Sequence, residues 1–275
     1  KKLNIKLCHI EAGLRSGDMT MPEEINRLVT DRLSDLLFTP DLLSSENLRK
    51  EGTPEEKIHF VGNIMIDTLE LNRSKAECLS VQTIIKENLI AGSKHQANLI
   101  SNAPYAIMTI HRPSNVDDEK VFVPLVRFLS EEVTRDLKLI WAVHPRAGKQ
   151  VTKWGLWDYV MNNPSLILLE PVGYHEMLRL NMGASLMLTD SGGLQEECCV
   201  LGTPCITLRF NTERPVTLRE HGGASVLTGN NIDRIRVEFQ RALNLDRRPI
   251  RPELWDGHTA ERIVNKLAEM DQRVK

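Results

Sequence analysis

Short apolar runs alternate along this chain with longer segments in which apolar residues recur at helical spacing. The apolar runs lie at 5–10, 58–61, 105–110, 137–143, 165–169, 184–189 and 204–208. The helical patterns lie at 22–36, 41–51, 64–72, 80–92, 117–134, 174–182, 192–201, 231–243 and 257–271. This alternation predicts an α/β protein with parallel sheets covered by helices on both faces. From about residue 104 the strand–helix unit repeats four times, which predicts a doubly wound, nucleotide-type domain.

Charge and cysteine content exclude several classes of function. Lys and Arg number 35 against 37 Asp and Glu, so electrostatics disfavour a nucleic-acid or membrane-surface role. No apolar run reaches the roughly 18 residues that a membrane span needs. The five cysteines are scattered and form no CxxC pair, which favours reduced thiols in a cytoplasmic protein. No spacing typical of metal ligands is present.

A composition change near residue 72 predicts two lobes, 1–72 and 73–275. We expect the last helix, 257–271, to pack back on the first lobe. Residues 3–10 resemble a buried strand at the very start of the chain. We therefore expect the first lobe to be incomplete, with an apolar sheet edge exposed to solvent.

The sharpest local signal is the turn Asp190-Ser191-Gly192-Gly193 after the apolar run 184–189. Glycines let the backbone approach a ligand, and the following helix offers free N–H groups and a positive dipole end to a phosphate. Glu197, about one turn further on, can accept hydrogen bonds from ribose hydroxyls. An ordinary strand-to-helix turn with an N-cap is the alternative, but the parallel-sheet context favours phosphate binding.

Basic residues follow three other predicted strands. His111 and Arg112 come after 105–110, His144 comes after 137–143, and Arg214 comes after 204–208, where we expect it beside the Ser191 turn. Taken singly, each has a structural explanation. Because parallel strands end at one edge of a sheet, together they predict an anionic ligand.

Two acidic positions stand out in the first lobe. Glu11 ends the run 5–10 and precedes a flexible turn, a placement that core packing does not explain. Glu23 and Glu24 lie just after Pro22, where acidic residues favour the positive end of a helix dipole.

Seven motifs, in order from about residue 4 to 270, carry a family resemblance: HIEAGLRSGD, PEEINR, VGNIMIDTL, HRPSNVDD, HPR, LTDSGGLQEE and LGTPCITLRFNTERP. In this set the chain resembles the non-hydrolysing UDP-N-acetylglucosamine 2-epimerases. The resemblance implies two Rossmann-like lobes of glycosyltransferase-B type with the active site in the cleft. It implies elimination of UDP to give a 2-acetamidoglucal, then re-addition with C2 inverted, with no metal and no redox cofactor.

The resemblance also implies roles for individual residues. Glu11, Glu23 and His111 match catalytic positions of the family. The residues that match its UDP-binding positions are Val172, Gly173, Ser191, Gly192, Gly193, Glu197 and Arg214. Arg112 and His144 resemble residues that bind a second, activating UDP-sugar molecule, and a homodimer is implied.

Three departures from the family keep other functions open. Family members carry a further N-terminal stretch with a catalytic aspartate, many read HRREN where this chain reads HRPSN, and residues 220–225 differ from the usual Gly-Thr-Asn pattern. The alternatives are a UDP-2,3-diacetamido-uronate 2-epimerase, a hydrolysing epimerase, a glycosyltransferase of the same fold, and a UDP-sugar-binding chain that is catalytically incomplete.

Overall fold

The structure, a computed structural model, describes residues 2–92 and 103–272, with side chains to residue 270. The chain divides into two compact units. The first contains the residues up to Leu71, the segment Asn211–Gly223, and the residues from Ile250 onward; the second contains Asn72–Phe210 and Ala224–Pro249.

The strands, in chain order, are β1 (Cys8–Ile10), β2 (Leu36–Thr39), β3 (Ile58–Phe60), β4 (Tyr105–Thr109), β5 (Lys138–Ala142), β6 (Leu166–Leu169), β7 (Leu186–Thr189), β8 (Cys205–Thr207) and β9 (Ser225–Leu227). The helices are α1 (Pro22–Leu33), α2 (Leu42–Lys50), α3 (Ile64–Glu77), α4 (Val81–Asn88), α5 (Pro113–Val116), α6 (Glu119–Phe128), α7 (Thr134–Asp136), α8 (Pro145–Lys153), α9 (Trp157–Met161), α10 (Tyr174–Gly183), α11 (Gly192–Leu201), α12 (Ile232–Ala242) and α13 (Thr259–Gln272). None of the helices formed by the described residues is long and apolar enough to cross a membrane.

The second unit contains a six-stranded, all-parallel sheet in the order β6-β5-β4-β7-β8-β9. Its first strand along the chain, β4, lies in the middle, and the order reverses between β4 and β7. This confirms the predicted doubly wound fold. Ligands of such sheets bind beyond the carboxyl ends of the strands at the point of reversal. A ligand site is therefore expected at the loops after β4 and β7.

The central strands of this sheet are buried on both faces because their side chains pack alternately into two separate hydrophobic cores. Successive residues of a strand point to opposite faces. Met108 and Trp141 pack in one core with Phe122 of α6. Ile107 and Ile140 pack in the other. This explains why the strands read as unbroken apolar runs in the sequence.

The first unit contains a smaller parallel sheet in the order β1-β2-β3. Ile263 and Met270 of α13 pack against Leu36 and Phe38 of β2. Trp255 is buried, and its indole N–H donates to the Pro40 carbonyl at 2.9 Å. The C-terminal segment thus completes the core of the first unit.

Two expectations about the first unit were wrong. Residues 3–10 do not form a buried strand, since β1 spans only Cys8–Ile10 and Leu3 is 82% exposed. The helix expected over 22–36 ends at Leu33, and the next apolar run forms the buried strand β2. Asp35 fixes this change of direction, because its backbone N–H donates to Leu7 O at 2.8 Å and its carboxylate accepts from Leu7 N at 3.0 Å.

Helices α5, α8 and α9 and the strand β9 were not predicted.

Arg247 ties together two helix ends in the second unit. Its guanidinium donates to Asn181 O at 2.9 Å and to Met182 O, both in the last turn of α10. Its Nε donates to Leu201 O, the last residue of α11, at 3.4 Å. The last carbonyls of a helix have no partner inside the helix, and a cation there also complements the dipole. One side chain therefore satisfies two helix C-termini.

Replacing Arg247 with Met should lower the free energy of unfolding by about 2–3 kcal/mol, because helix-end carbonyls lose a charged donor. Urea unfolding followed by tryptophan fluorescence measures the change. Arg248→Met is the matched control, since this neighbouring side chain is exposed, and it should change the free energy by less than about 0.5 kcal/mol. Equal effects of the two substitutions would contradict the assigned role of Arg247.

Candidate active site

Asp190 is the organising residue at the point where the strand order of the second unit reverses. It is fully buried just after β7. Its carboxylate accepts from the backbone N–H groups of His111 at 2.9 Å and Arg112 at 2.8 Å, and from Asn115 Nδ2 at 3.0 Å. Asn115 Nδ2 also donates to Leu208 O at 2.9 Å. The loop after β4 is thereby fixed to the ends of β7 and β8.

The side chain of His111 lies against the same carboxylate. Its Nδ1 is 2.9 Å from Asp190 Oδ1, and about a third of the side chain is exposed. Although burial acts to raise it, the pKa of Asp190 lies below its usual range because His111 and two backbone N–H groups stabilise the ionised form. A neutral imidazole held in this way retains one ring nitrogen, Nε2, for proton transfer.

His144 lies beside His111, with ring centroids 5.1 Å apart. It caps α8, since its Nδ1 accepts from the backbone N–H of Arg146 at 3.1 Å. Burial lowers the pKa of His144, and nearby His111 and Arg146 lower it further. The two predicted basic loops therefore do meet, but His144 is favoured in its neutral form.

The turn after β7 leads directly into α11, as the motif predicts. Ser191 is the N-cap residue, and its hydroxyl caps no N–H group of the described residues. A Cβ added to Gly193 would meet no described atom within 4 Å. The turn therefore presents open space, a hydroxyl and the first N–H groups of a ten-residue helix. This is the geometry that an anion needs.

Glu197 lies further along α11 and is 6% exposed. Burial raises the pKa of Glu197 to about 7, the Glu196 carboxylate acts in the same direction, and hydrogen bonds from Tyr174 and Asn181 oppose them. Its Oε2 atom is buried and has no hydrogen-bond partner among the described residues. A buried carboxylate oxygen without a donor is costly and marks a place for a ligand hydroxyl.

The loop that contains Val172 and Gly173 lies close to Glu197. Tyr174, the first residue of α10, follows this loop directly, and its side chain hydrogen-bonds to Glu197. Glu176 Oε2 accepts from Gly173 N at 2.6 Å, which fixes the loop at the start of the helix. The structure thus brings the predicted base-binding loop and the predicted ribose acceptor together.

Glu11, in the first unit, has an unusual backbone. Its φ is +67°, a conformation that side chains with a Cβ rarely adopt. Its Oε1 atom is buried and lacks a hydrogen-bond partner within the described part of the chain. The next residues hold this turn: Ala12 N donates to Phe38 O at 3.0 Å, and a Cβ on Gly13 would lie 2.2 Å from Ser44 O. Such local strain is maintained mainly at functional sites.

Hydrogen bonds and ion pairs from neighbouring residues stabilise the turn after Glu11. Asp31 of α1 accepts from Gly13 N at 3.1 Å, His9 Nδ1 at 2.5 Å and Arg15 Nη2 at 2.7 Å. These contacts keep the pKa of Asp31 low despite its burial. Arg15 also forms a bidentate pair with Glu51 at 2.7 and 2.8 Å. His9 and Arg15 therefore have structural roles.

Glu23 and Glu24 are adjacent in α1 but have different surroundings. Glu23 is exposed. Glu24 is buried and accepts from Ser16 N and Gly17 N, both at 2.9 Å, and from Arg27 Nη1 at 3.0 Å. The helix dipole alone does not account for Glu24, since this carboxylate anchors the loop that follows Glu11.

Arg214 belongs to the first unit, whereas Ser191 belongs to the second. Its Nη1 contacts Glu213, whose Oε1 is 3.7 Å from Arg27 Nη2. These ionic contacts hold the segment Asn211–Gly223 on α1. The expected placement of Arg214 beside the Ser191 turn stays a prediction.

Sequence reasoning gave no site role to Asp190 or Asp31, and it explained Glu24 only by the helix dipole. Each lies inside a recognised motif or helix, but nothing in a linear pattern shows which backbone N–H groups a carboxylate will accept from.

Comparison with known proteins identifies the family. The model of the family described as UDP-N-acetylglucosamine 2-epimerase matches residues 1–268. A UDP-N-acetylglucosamine 2-epimerase from Methanocaldococcus jannaschii is 40% identical over 97% of this chain and 69% of its own length. A UDP-2,3-diacetamido-2,3-dideoxy-D-glucuronate 2-epimerase from Pseudomonas aeruginosa is 33% identical over 98% of this chain and 70% of its own length.

Solved structures agree with this assignment. The crystal structure of the Methanocaldococcus jannaschii UDP-GlcNAc 2-epimerase in complex with UDP-GlcNAc and UDP is 38% identical, with a TM-score of 0.84 over 98% of this chain and 70% of that one. The Neisseria meningitidis enzyme bound to UDP-GlcNAc is 27% identical, with a TM-score of 0.79 over 98% of this chain and 71% of that one. The predicted α/β fold of glycosyltransferase-B type is confirmed. With these motifs, this fold and these relatives, the chain belongs to the UDP-N-acetylglucosamine 2-epimerase family.

Proposed function

We propose that the chain catalyses the reversible epimerisation of UDP-N-acetylglucosamine at C2, giving UDP-N-acetylmannosamine. The C1–O bond to UDP breaks, the C2 proton leaves, and a 2-acetamidoglucal forms. UDP then adds back to C1 while C2 receives a proton on the opposite face. Atoms and charges balance without any further reactant.

The observation that carries this proposal is the state of Glu11. Its strained backbone and its buried, unpartnered Oε1 hold a carboxylate ready for a ligand. Because the C2 proton is not acidic, cleavage of the C1–O bond must run ahead and develop positive charge on the sugar. A fixed carboxylate stabilises that charge. Glu23 is the second carboxylate of the proposal, and His111 is a group that transfers a proton.

The nucleotide is held by the second unit in this proposal. The diphosphate lies at the N-terminus of α11, on Ser191, Gly192 and Gly193, and Glu197 accepts hydrogen bonds from the ribose hydroxyls. The uracil lies at Val172 and Gly173. Open space at Gly193 and the unpartnered Oε2 of Glu197 support these placements.

Further assignments belong to the same proposal. Arg214 stabilises the departing diphosphate, while Arg112 and His144 contact a second, activating UDP-sugar. The enzyme acts as a homodimer in the cytoplasm and supplies a precursor of cell-surface polysaccharide. The family resemblance supports the dimer and the second ligand, and the scattered cysteines support a reducing compartment.

A second candidate substrate is UDP-2,3-diacetamido-glucuronate. The observation that favours it is the similarity to the Pseudomonas aeruginosa relative of that name. Offering both nucleotide sugars in parallel distinguishes them, because the preferred substrate should show the higher kcat/KM.

Proton NMR of UDP-N-acetylglucosamine with the chain in heavy water tests the reaction. We expect the manno epimer to accumulate with deuterium at C2. Glu11→Gln should slow this exchange by about 10²–10⁴-fold, because it removes a charge from the reacting centre. Glu46→Gln, at an exposed position on α2, is the matched control and should retain the rate. Line broadening that UDP competes away, with no exchange, would contradict the epimerase and leave a UDP-sugar-binding chain.

The affinity for UDP should rise with pH around neutrality. The ionised Glu197 carboxylate accepts hydrogen bonds from both ribose hydroxyls. Because the pKa of Glu197 is about 7, this carboxylate becomes protonated as the pH falls below neutrality, and the protonated form binds UDP less well. The dissociation constant measured by calorimetry should fall as pH rises from about 6 to 8, approaching tenfold per pH unit at the acid end.

Glu197→Gln isolates this effect, since the terminal phosphate of UDP titrates equally in both proteins. The variant should bind UDP more weakly and show a smaller pH slope. Identical slopes in the two proteins would rule out Glu197 as the ribose acceptor.

A further inference from the structure

We propose that Asp190 is a positioning residue for His111 that holds the neutral imidazole with its proton on Nδ1. Nε2 is then the atom that accepts and returns the substrate proton. This inference rests on the proposed function for the identity of the reaction, but the geometry behind it is independent of that identity.

The two oxygens of Asp190 have different tasks. Oδ2 accepts from His111 N at 2.9 Å, Arg112 N at 2.8 Å and Asn115 Nδ2 at 3.0 Å. Oδ1 faces the imidazole, 2.9 Å from His111 Nδ1, and has only a longer contact of 3.2 Å with His111 N. One oxygen therefore anchors the loop, and the other contacts the ring. Anchoring of the loop accounts for the contacts of Oδ2 but does not account for the contact between Oδ1 and the imidazole ring.

A carboxylate can only accept hydrogen bonds, so a neutral imidazole with Nδ1 at 2.9 Å from Oδ1 is more stable with its proton on Nδ1 than on Nε2. The charged and titratable groups that neighbour the ring among the described residues have contacts elsewhere. His144 already accepts a backbone N–H on its own Nδ1, and Arg146 pairs with Asp117. Arg112 directs its Nε to the Asp190 carbonyl at 3.0 Å. The Asp190 side chain is fully buried, so bulk water does not replace it as the partner of the ring.

Asp190→Asn inverts this arrangement in a defined way. The amide oxygen must take the Oδ2 position, because the two backbone N–H groups and Asn115 require an acceptor. The amide NH2 then faces His111 Nδ1 and donates to it, which moves the imidazole proton to Nε2. The same carboxylate-to-amide change places histidine in the wrong tautomer in serine proteases and costs about 10⁴ in kcat.

The experiment is nitrogen NMR of the chain labelled at histidine ring nitrogens, at a pH where the imidazoles are neutral. His111→Gln identifies the signal. We expect the proton on Nδ1 in the wild type and on Nε2 in Asp190→Asn. Deuterium exchange at substrate C2 should fall about 10²–10⁴-fold in the variant, while the UDP dissociation constant stays within about threefold.

Asn115→Ala separates positioning from loop anchoring, since it removes a donor to Oδ2 and leaves the ring contact. It should keep the Nδ1 proton and lose less than about tenfold in rate. A wild-type proton on Nε2 would overturn the inference, even if Asp190→Asn failed to fold. A loss of rate in Asn115→Ala equal to that in Asp190→Asn would also overturn it. A wild type that shows the Nδ1 proton but no turnover would refute the proposed function and leave the Asp190 geometry standing.

Discussion

The parallel hydrogen bonding of six strands is the constraint on which the second unit depends. Parallel strands need a crossover after each strand, and these crossovers cover both faces of the sheet and bury the strands. They also bring every carboxyl end to one edge. Because β4 lies in the middle, the loops after β4 and β7 flank the point where the strand order reverses, which is where doubly wound sheets bind ligands. His111 and Ser191 are placed there by topology before any side-chain chemistry is considered.

Buried carboxylates then give these loops a fixed shape. Asp190 accepts backbone N–H groups from the loop after β4, Asp31 accepts Gly13 N, and Glu24 accepts Ser16 N and Gly17 N. Loops at strand ends have no ladder to satisfy their backbone donors, so a buried acceptor supplies the missing partner. Asp190 contacts His111, Glu24 is adjacent in sequence to Glu23, and Asp31 holds the turn that follows Glu11. The family motifs therefore contain residues that hold the loops of the site in place as well as residues proposed to contact the substrate.

Two of the three carboxylates proposed to contact the ligand, Glu11 and Glu197, differ from these loop-anchoring carboxylates. Glu11 and Glu197 each have a buried oxygen without a partner in the described chain, and burial raises the pKa of Glu197 to about 7. An organising carboxylate is stable because its donors belong to the protein, whereas a ligand-binding carboxylate is left unsatisfied until a ligand provides them. This contrast distinguishes carboxylates that anchor loops from carboxylates that bind ligand, although both are Asp or Glu in the sequence.

The sequence by itself determined the parallel sheet, most helices and the motifs that contain the candidate site, because apolar periodicity and glycine turns are local properties. It misassigned the end of α1 and missed β2, since a short apolar run after a helix reads equally well as its continuation. Only the tertiary structure decided that Asp190 orients His111 and that Glu24 is buried beside an exposed Glu23. Those outcomes depend on hydrogen bonds between residues far apart in the chain, which no local pattern records.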